Sequence, residues 1–123
     1  KKILIIDDEE LIVQTLARVL EKNHYEVLIA KTGADAIVMA EEEDFDLIIS
    51  DVRMPGMNGV ETCRNILEAI KIKKGKDIPI IFITGYADEA IEAKAKALSP
   101  RAYVYKPFDC TEFLANVNAA LKG

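Results

Sequence analysis

Short, nearly unbroken runs of apolar residues alternate along the chain with longer segments in which apolar residues recur every three or four positions. The short runs are rich in isoleucine, valine and tyrosine, and they are Ile3–Ile6, Val27–Ala30, Leu47–Ile49, Ile78–Ile83 and Ala102–Tyr105. Continuous runs of this length are typical of strands that are covered on both faces, as in a parallel sheet. The pattern therefore predicts five buried strands.

The longer segments predict helices between and after these strands. The predicted helices are one with an apolar face of Leu11, Ile12, Leu16, Val19 and Leu20, a second from Thr32 to about Glu43, a third after Asn58, a fourth over Asp88–Leu98 and a fifth that begins at Asp109. The basic segment Lys71–Lys76 is interpreted as a solvated turn before the fourth strand.

The order of these elements is a strand followed by a helix, five times. Right-handed crossovers and covered faces lead from that order to an α/β fold, (βα)5, with a doubly wound five-stranded parallel sheet and helices on both faces. We predict the strand order 2-1-3-4-5 and a single domain over residues 1–123. In such sheets ligands bind outside the carboxyl ends of the strands, so the chemistry is expected there.

Composition narrows the classes of partner. The 123 residues include 16 basic and 21 acidic ones, a formal net charge of −5. An acidic balance argues against direct binding of nucleic acid through phosphate contacts and against an anionic membrane surface. Cys63 and Cys110 lack CxxC or zinc-site spacing, which favours free thiols in a reducing compartment and a cytoplasmic location.

Charged and hydroxyl side chains follow four of the predicted strands. Asp7 and Asp8 follow the first strand, Asp51 follows the third, Thr84 the fourth and Lys106 the fifth. Each residue alone fits an ordinary role as a helix cap, loop residue or solvated charge, but their coincidence at one sheet edge favours function. Carboxylates packed this closely repel one another unless a cation joins them, and oxygen ligands without histidine or thiolate indicate Mg²⁺, with Mn²⁺ as an alternative.

The same group of residues suits a phosphoryl group. Mg²⁺ commonly shares its ligand shell with phosphate. The Lys106 ammonium would balance phosphoryl charge, and the Thr84 hydroxyl would donate a hydrogen bond to it. Asp51 lies at the base of the predicted cluster, where its carboxylate could itself be the nucleophile.

This arrangement resembles the receiver domain of two-component response regulators, the CheY-like family, over essentially the whole chain. The motifs that carry the resemblance are Ile5-Ile6-Asp7-Asp8-Glu9, the D-x-x-M-P-x-M-x-G segment from Asp51 to Gly59, Ile83-Thr84-Gly85-Tyr86 and Lys106-Pro107-Phe108. The resemblance implies a phospho-accepting signalling domain, not an enzyme with turnover, that catalyses only its own phosphorylation and slow dephosphorylation. It also implies a sensor histidine kinase or phosphotransfer protein as donor and an output domain or downstream protein as target.

The resemblance also assigns roles around the acceptor. Asp51 takes a phosphoryl group from a phosphohistidine. Asp8 and Asp51 bind Mg²⁺ directly together with the backbone carbonyl of Arg53, whereas Asp7 acts mainly through metal-bound water. Lys106 contacts the phosphoryl oxygens, and Lys106–Pro107 resembles the cis peptide of the family.

A conformational switch is the other implied property. Thr84 moves to hydrogen-bond the phosphoryl group and Tyr103 reorients with it, which changes the surface of the fourth helix, fifth strand and fifth helix. Arg53 and Tyr86 stand two residues past Asp51 and Thr84, at positions that border the site and influence the lifetime of the phosphoryl group.

Three other functions are compatible with an α/β fold of this kind. A haloacid-dehalogenase-type enzyme would need a second aspartate two residues after its nucleophile, where this chain has Arg53. A flavin or dinucleotide module finds no support, because the chain lacks a G-x-G-x-x-G segment and a P-loop. A docking domain of the same fold that works without phosphorylation is disfavoured by the intact set of site residues but stays open.

Overall fold

The computed structural model describes residues 1–54, 57–85 and 87–122, with the backbone alone at positions 54 and 57. The five strands of the main sheet are β1 (Lys2–Ile6), β2 (Glu26–Ala30), β3 (Leu47–Asp51), β4 (Ile80–Thr84) and β5 (Ala102–Tyr105). The five helices are α1 (Glu10–Lys22), α2 (Gly33–Glu42), α3 (Gly59–Lys74), α4 (Glu89–Lys96) and α5 (Cys110–Lys122).

All neighbouring strands of the main sheet are parallel, and their order is β2-β1-β3-β4-β5. The predicted fold class and strand order are therefore confirmed. Arg53–Met54 and Met57–Asn58 form an additional two-residue antiparallel pairing after β3, which the hydrophobic pattern did not predict. No helix of the described residues is both long and apolar enough to cross a lipid bilayer.

The strands separate two hydrophobic clusters, one on each face of the sheet. Alternate residues of β1, such as Leu4 and Ile3, point to opposite faces because successive side chains of a strand do so. One cluster joins the sheet to α2, α3 and α4, and the other joins it to α1 and α5. Two covered faces explain why the strands read as continuous apolar runs.

Two details of the predicted helices were wrong. Leu11 was assigned to the buried face of α1, but it is 78% exposed and Val13 is buried in its place. The basic segment Lys71–Lys76 is predicted as a turn, but Lys71, Lys73 and Lys74 lie in the last turn of α3, and only Gly75 and Lys76 follow the helix. Cations are favourable at that end of a helix, which ends at Gly75 with a positive φ of 66°.

Helix α4 is held by less apolar burial than its neighbours. Ala95 is the one fully buried residue within its described length, and Ile91 and Leu98 are only partly buried. We expect amide hydrogen exchange in α4 to be on the order of tenfold faster than in α1, because weakly packed elements open locally at lower cost. Exchange followed by mass spectrometry or NMR measures this, and equal protection of α4 and α1 would contradict it.

Candidate functional site

The carboxyl ends of four parallel strands bring the predicted site residues to one edge of the sheet. Asp51 is the last residue of β3 and Thr84 the last of β4, while Asp7 and Lys106 directly follow β1 and β5. The Lys106 amide donates to the Thr84 carbonyl at 2.7 Å, which fixes the chain where it leaves the sheet. The peptide bond between Lys106 and Pro107 is cis, as the resemblance implied.

Three carboxylates meet at this edge. Asp7, Asp8 and Asp51 each offer an oxygen, and these oxygens all lie within 4.8 Å of one another. Asp7 and Asp51 are buried, whereas Asp8 is exposed. One oxygen of each buried carboxylate accepts a backbone hydrogen bond, from Glu9 at 3.0 Å for Asp7 and from Arg53 at 3.2 Å for Asp51. Local backbone turns therefore orient both buried carboxylates.

Lys106 supplies the positive charge of the cluster. Its Nζ atom lies 3.5 Å from Asp7 Oδ2, 3.5 Å from Asp51 Oδ2 and 2.9 Å from Glu9 Oε1. The contact with Glu9 is the shortest of these and was not predicted. The sequence signal for it was slight: Glu9 directly follows the acidic pair, at a position before α1 where shorter polar residues are the usual caps.

Burial sets the protonation of the carboxylates. Loss of solvent, reinforced by the charge of Asp7 and opposed by the Arg53 amide and by Lys106, raises the pKa of Asp51 to about 6. Burial also raises the pKa of Asp7. Burial disfavours the Lys106 ammonium, but the hydrogen bond to Glu9 and the charges of Asp7 and Asp51 outweigh it and raise the pKa of Lys106. One ammonium thus only partly offsets the crowded negative charge.

The donor set fits a hard divalent cation. Asp7 Oδ2 is buried and, among the described residues, accepts no hydrogen bond. The nearest cation to this oxygen is the Lys106 ammonium at 3.5 Å, beyond a good hydrogen bond, and a bound metal ion would satisfy the oxygen more fully. Carboxylate oxygens within 4.8 Å of one another, with one of the three aspartates open to solvent, suit Mg²⁺, which usually keeps several waters.

The other predicted residues lie around this cluster. Thr84 is fully buried. Tyr103 is partly buried, and its ring packs against Phe82 at a centroid distance of 6.3 Å and edge-on against Tyr105 at 5.5 Å. The Arg53 side chain pairs with Asp88 at 3.2 Å.

That ion pair links the segment after Asp51 to the first turn of α4, because Asp88 also caps this helix. The Pro55-Gly56 part of the motif and the predicted border residue Tyr86 lie outside the described residues.

Comparison with known proteins identifies the class of domain. The sequence matches the family model of the response regulator receiver domain over residues 3–118. It is similar to a CheY-like receiver domain protein from Methanospirillum hungatei JF-1, with 31% identity and a TM-score of 0.87 over 99% of this chain and 94% of that one. The chain therefore belongs to the response regulator receiver domain family of two-component signalling.

Two further similar structures are a domain of a multidomain protein and a response regulator with a modified aspartate. One is the N-terminal domain of a response regulator/sensory box/GGDEF three-domain protein from Carboxydothermus hydrogenoformans, with 31% identity and a TM-score of 0.83 over 99% of this chain and 94% of that one. The other is a Burkholderia pseudomallei response regulator protein with a phosphorylated aspartic acid, a calcium ion and citrate, with 29% identity and a TM-score of 0.82 over 99% of this chain and 69% of that one.

Mg²⁺ is expected to stabilise the protein through Asp8. A ligand that binds only the native state adds about 2.7 kcal/mol of unfolding free energy at 100 times its dissociation constant, which corresponds to a rise of roughly 10 °C in Tm for a domain of this size. Asp8→Ala should lose most of that rise. Thermal denaturation with and without Mg²⁺ measures it.

The matched control for this measurement is Asp77→Ala, which removes a carboxylate that is 81% exposed and far along the chain from the cluster. It should keep the full rise in Tm. If Mg²⁺ stabilises Asp8→Ala as much as the wild type, the ion binds elsewhere.

Proposed function

We propose that residues 1–123 form one receiver domain in which Asp51 accepts a phosphoryl group in a Mg²⁺-dependent reaction. The observation that carries the proposal is the convergence on Asp51 of two further aspartates, Asp7 and Asp8, and of the ammonium of Lys106. A buried carboxylate with a purely structural role would not need two further carboxylates and an ammonium beside it. A carboxylate that accepts an anionic phosphoryl group needs both features: the aspartates to hold a metal ion and the ammonium to offset the charge of the phosphoryl oxygens.

The chemistry assigned to Asp51 is nucleophilic attack. A carboxylate oxygen of Asp51 forms a bond to the phosphorus of a phosphohistidine, and the bond between phosphorus and the imidazole nitrogen breaks. The imidazole leaves with the electron pair and takes up a proton from solvent. Burial that raises the pKa of Asp51 to about 6 leaves the group largely ionised at neutral pH. Lys106 contacts the phosphoryl oxygens and offsets their charge.

Asp8, Asp51 and the backbone carbonyl of Arg53 would hold Mg²⁺ directly, and Asp7 would act through metal-bound water. Mn²⁺ has the same preference for oxygen ligands and is the alternative ion. When bound, the ion supplies positive charge against the phosphoryl oxygens. The calcium ion in the phosphorylated Burkholderia pseudomallei relative supports a divalent cation in this class of domain.

Thr84 and Tyr103 form the proposed switch. Thr84 ends β4 beside the cluster, and Tyr103 lies on the neighbouring strand β5 with its ring near Phe82. A charge-assisted hydrogen bond from the Thr84 hydroxyl to the phosphoryl group would vacate space for Tyr103 to turn inward and would alter the α4-β5-α5 surface.

Exchange in α4 should therefore change on phosphorylation. In Thr84→Ala it should respond less although Asp51 still accepts the group. An undiminished response in Thr84→Ala would exclude Thr84 as the switch residue.

The partners follow from this chemistry. The donor would be a sensor histidine kinase or a phosphotransfer protein, and the target an output domain or a downstream protein in the cytoplasm. The three-domain relative from Carboxydothermus hydrogenoformans supports an output domain on the same chain as one arrangement. The acidic net charge of −5 gives this domain itself no evident role in binding nucleic acid or a membrane.

The test is phosphorylation by acetyl phosphate, a small donor that needs no kinase. The protein should gain the mass of one phosphoryl group when Mg²⁺ is present and none when EDTA replaces it, and intact-mass spectrometry measures both. Slow release of inorganic phosphate from the modified protein distinguishes an acceptor from an enzyme with turnover, which would release it rapidly and repeatedly. If the mass is unchanged in Mg²⁺, the proposal is wrong and a phosphorylation-independent docking domain becomes the better reading.

A further inference from the structure

Glu9 occupies the position before α1 where a helix cap belongs, yet its side chain makes no capping hydrogen bond. Serine, threonine, aspartate and asparagine are favoured there because their short side chains reach the free amides of the first turn. The chain uses such residues at the four other helix starts, where Thr32, Asn58, Asp88 and Asp109 all accept hydrogen bonds from backbone amides. Capping therefore does not account for a glutamate at this position.

The carboxylate of Glu9 contacts Lys106 instead. The distance from Glu9 Oε1 to Lys106 Nζ is 2.9 Å, against 3.5 Å from the same nitrogen to the nearer oxygen of Asp51. The Lys106 side chain is 12% exposed, whereas that of Glu9 is 57% exposed. The cation assigned to the phosphoryl group is thus held most closely, before phosphorylation, by a carboxylate at the mouth of the site.

We propose that Glu9 is a positioning residue that competes with the incoming phosphoryl group for Lys106. This inference rests on the proposed function of Asp51. The Glu9 carboxylate keeps the ammonium at the site while Asp51 is free, and an anionic phosphoryl group must displace that carboxylate to gain the same donor. Glu9 therefore weakens binding of the donor and slows phosphorylation at low donor concentration.

The matched pair of variants is Glu9→Gln and Glu10→Gln. Both remove one negative charge at neighbouring positions, but the Glu10 side chain pairs with Lys31 at 3.0 Å, whereas that of Glu9 pairs with Lys106. An effect of net charge would be the same in both variants. An effect exerted through Lys106 would appear in Glu9→Gln alone.

The first measurement uses inorganic phosphate with Mg²⁺, followed by NMR titration, and involves no covalent step. The dissociation constant for phosphate should fall about twofold to fivefold in Glu9→Gln, because a partly exposed ion pair no longer competes with it. Glu10→Gln should stay close to wild type. Equal dissociation constants in all three proteins, or an equal fall in both variants, would overturn the inference.

The second measurement is the rate of phosphorylation by acetyl phosphate. In Glu9→Gln the half-saturating concentration should fall by a similar factor while the maximal rate changes little, a split that a merely structural role would not produce. In a Lys106→Ala background the same substitution should have no effect on the rate. Acceleration of similar size without Lys106 would show that Glu9 acts by charge alone and would overturn the inference.

The two measurements separate the two proposals. If phosphate binds more tightly to Glu9→Gln but acetyl phosphate modifies no variant, the proposed function fails and the competition for Lys106 stands. If all variants are phosphorylated with equal half-saturating concentrations, the proposed function stands and the role of Glu9 fails.

Discussion

Asp51→Asn is expected to abolish phosphorylation by acetyl phosphate and, without metal, to stabilise the protein by up to about 3 kcal/mol above pH 7. The first effect follows because the amide lacks the nucleophilic oxygen assigned to the acceptor. The second follows because ionised Asp51 is buried beside Asp7, and an uncharged amide of the same shape removes that penalty.

The direction of the expected stability difference follows from the ionisation of Asp51. The pKa of Asp51 is raised from 3.8 to about 6, so the native state holds its proton more tightly than the unfolded chain does. The stabilisation that comes from protonated Asp51 is fully present below about pH 4 and is lost as the pH rises through about 6. Above that pH the stability no longer changes through this group. Asp51→Asn lacks this loss, so its advantage should be near zero at pH 4 and largest above pH 7.

Urea denaturation in EDTA across that range measures the difference between variant and wild type. Asp7 and Lys106 are present in both proteins, so the difference reports Asp51 together with its interaction with these two charges. Asp77→Asn, at an exposed carboxylate, is the control and should show no advantage that grows with pH. A stability difference independent of pH, or a mass gain in Asp51→Asn, would contradict the assignment.

The sequence predicted the sheet because burial leaves a strong pattern. Both faces of each central strand are covered, so runs such as Ile3–Ile6 and Ile78–Ile83 carry almost no polar residue. The location of the candidate site could be predicted from the sheet, because parallel strands end at one edge. Residues at the strand ends can be placed there without predicting the conformation of any loop. Asp7, Asp51 and Lys106 do meet as predicted.

What the sequence did not predict depends on contacts between side chains and on the phase of a helix. Leu11 and Val13 are both apolar, and only packing of α1 against the sheet decides that Val13 is buried. The lysines at the end of α3 were predicted to lie in a loop, because a run of charged residues does not by itself distinguish a helix from a loop. The strand ends place Asp7 and Lys106 at one sheet edge, but they do not show which side chains beyond the strands pair with each other. The contacts of Glu9 with Lys106 and of Asp88 with Arg53 were therefore not predicted.

Gly59→Ala is expected to destabilise the protein by about 3 kcal/mol or more, although it adds only one methyl group. Gly59 begins α3, and its amide donates to the Val52 carbonyl at 2.9 Å. A Cβ atom at this position would lie 1.7 Å from the backbone oxygen of Asp51 and 2.8 Å from Ser50 Oγ. The nearest obstacle is backbone of a central strand, which cannot turn aside as a flexible side chain could.

The same close approach connects the helix to the chemistry. To admit the methyl group, either α3 must move away from the sheet or the end of β3 must shift, and Asp51 is the residue at that end. We therefore expect the folded fraction of Gly59→Ala to be phosphorylated more slowly as well as to unfold at lower urea. Gly85→Ala is the control, because a Cβ there meets nothing within 4 Å, and its stability should stay within about 0.5 kcal/mol of wild type. Equal stability of the two alanine variants in urea denaturation would show that α3 does not pack closely against the end of β3.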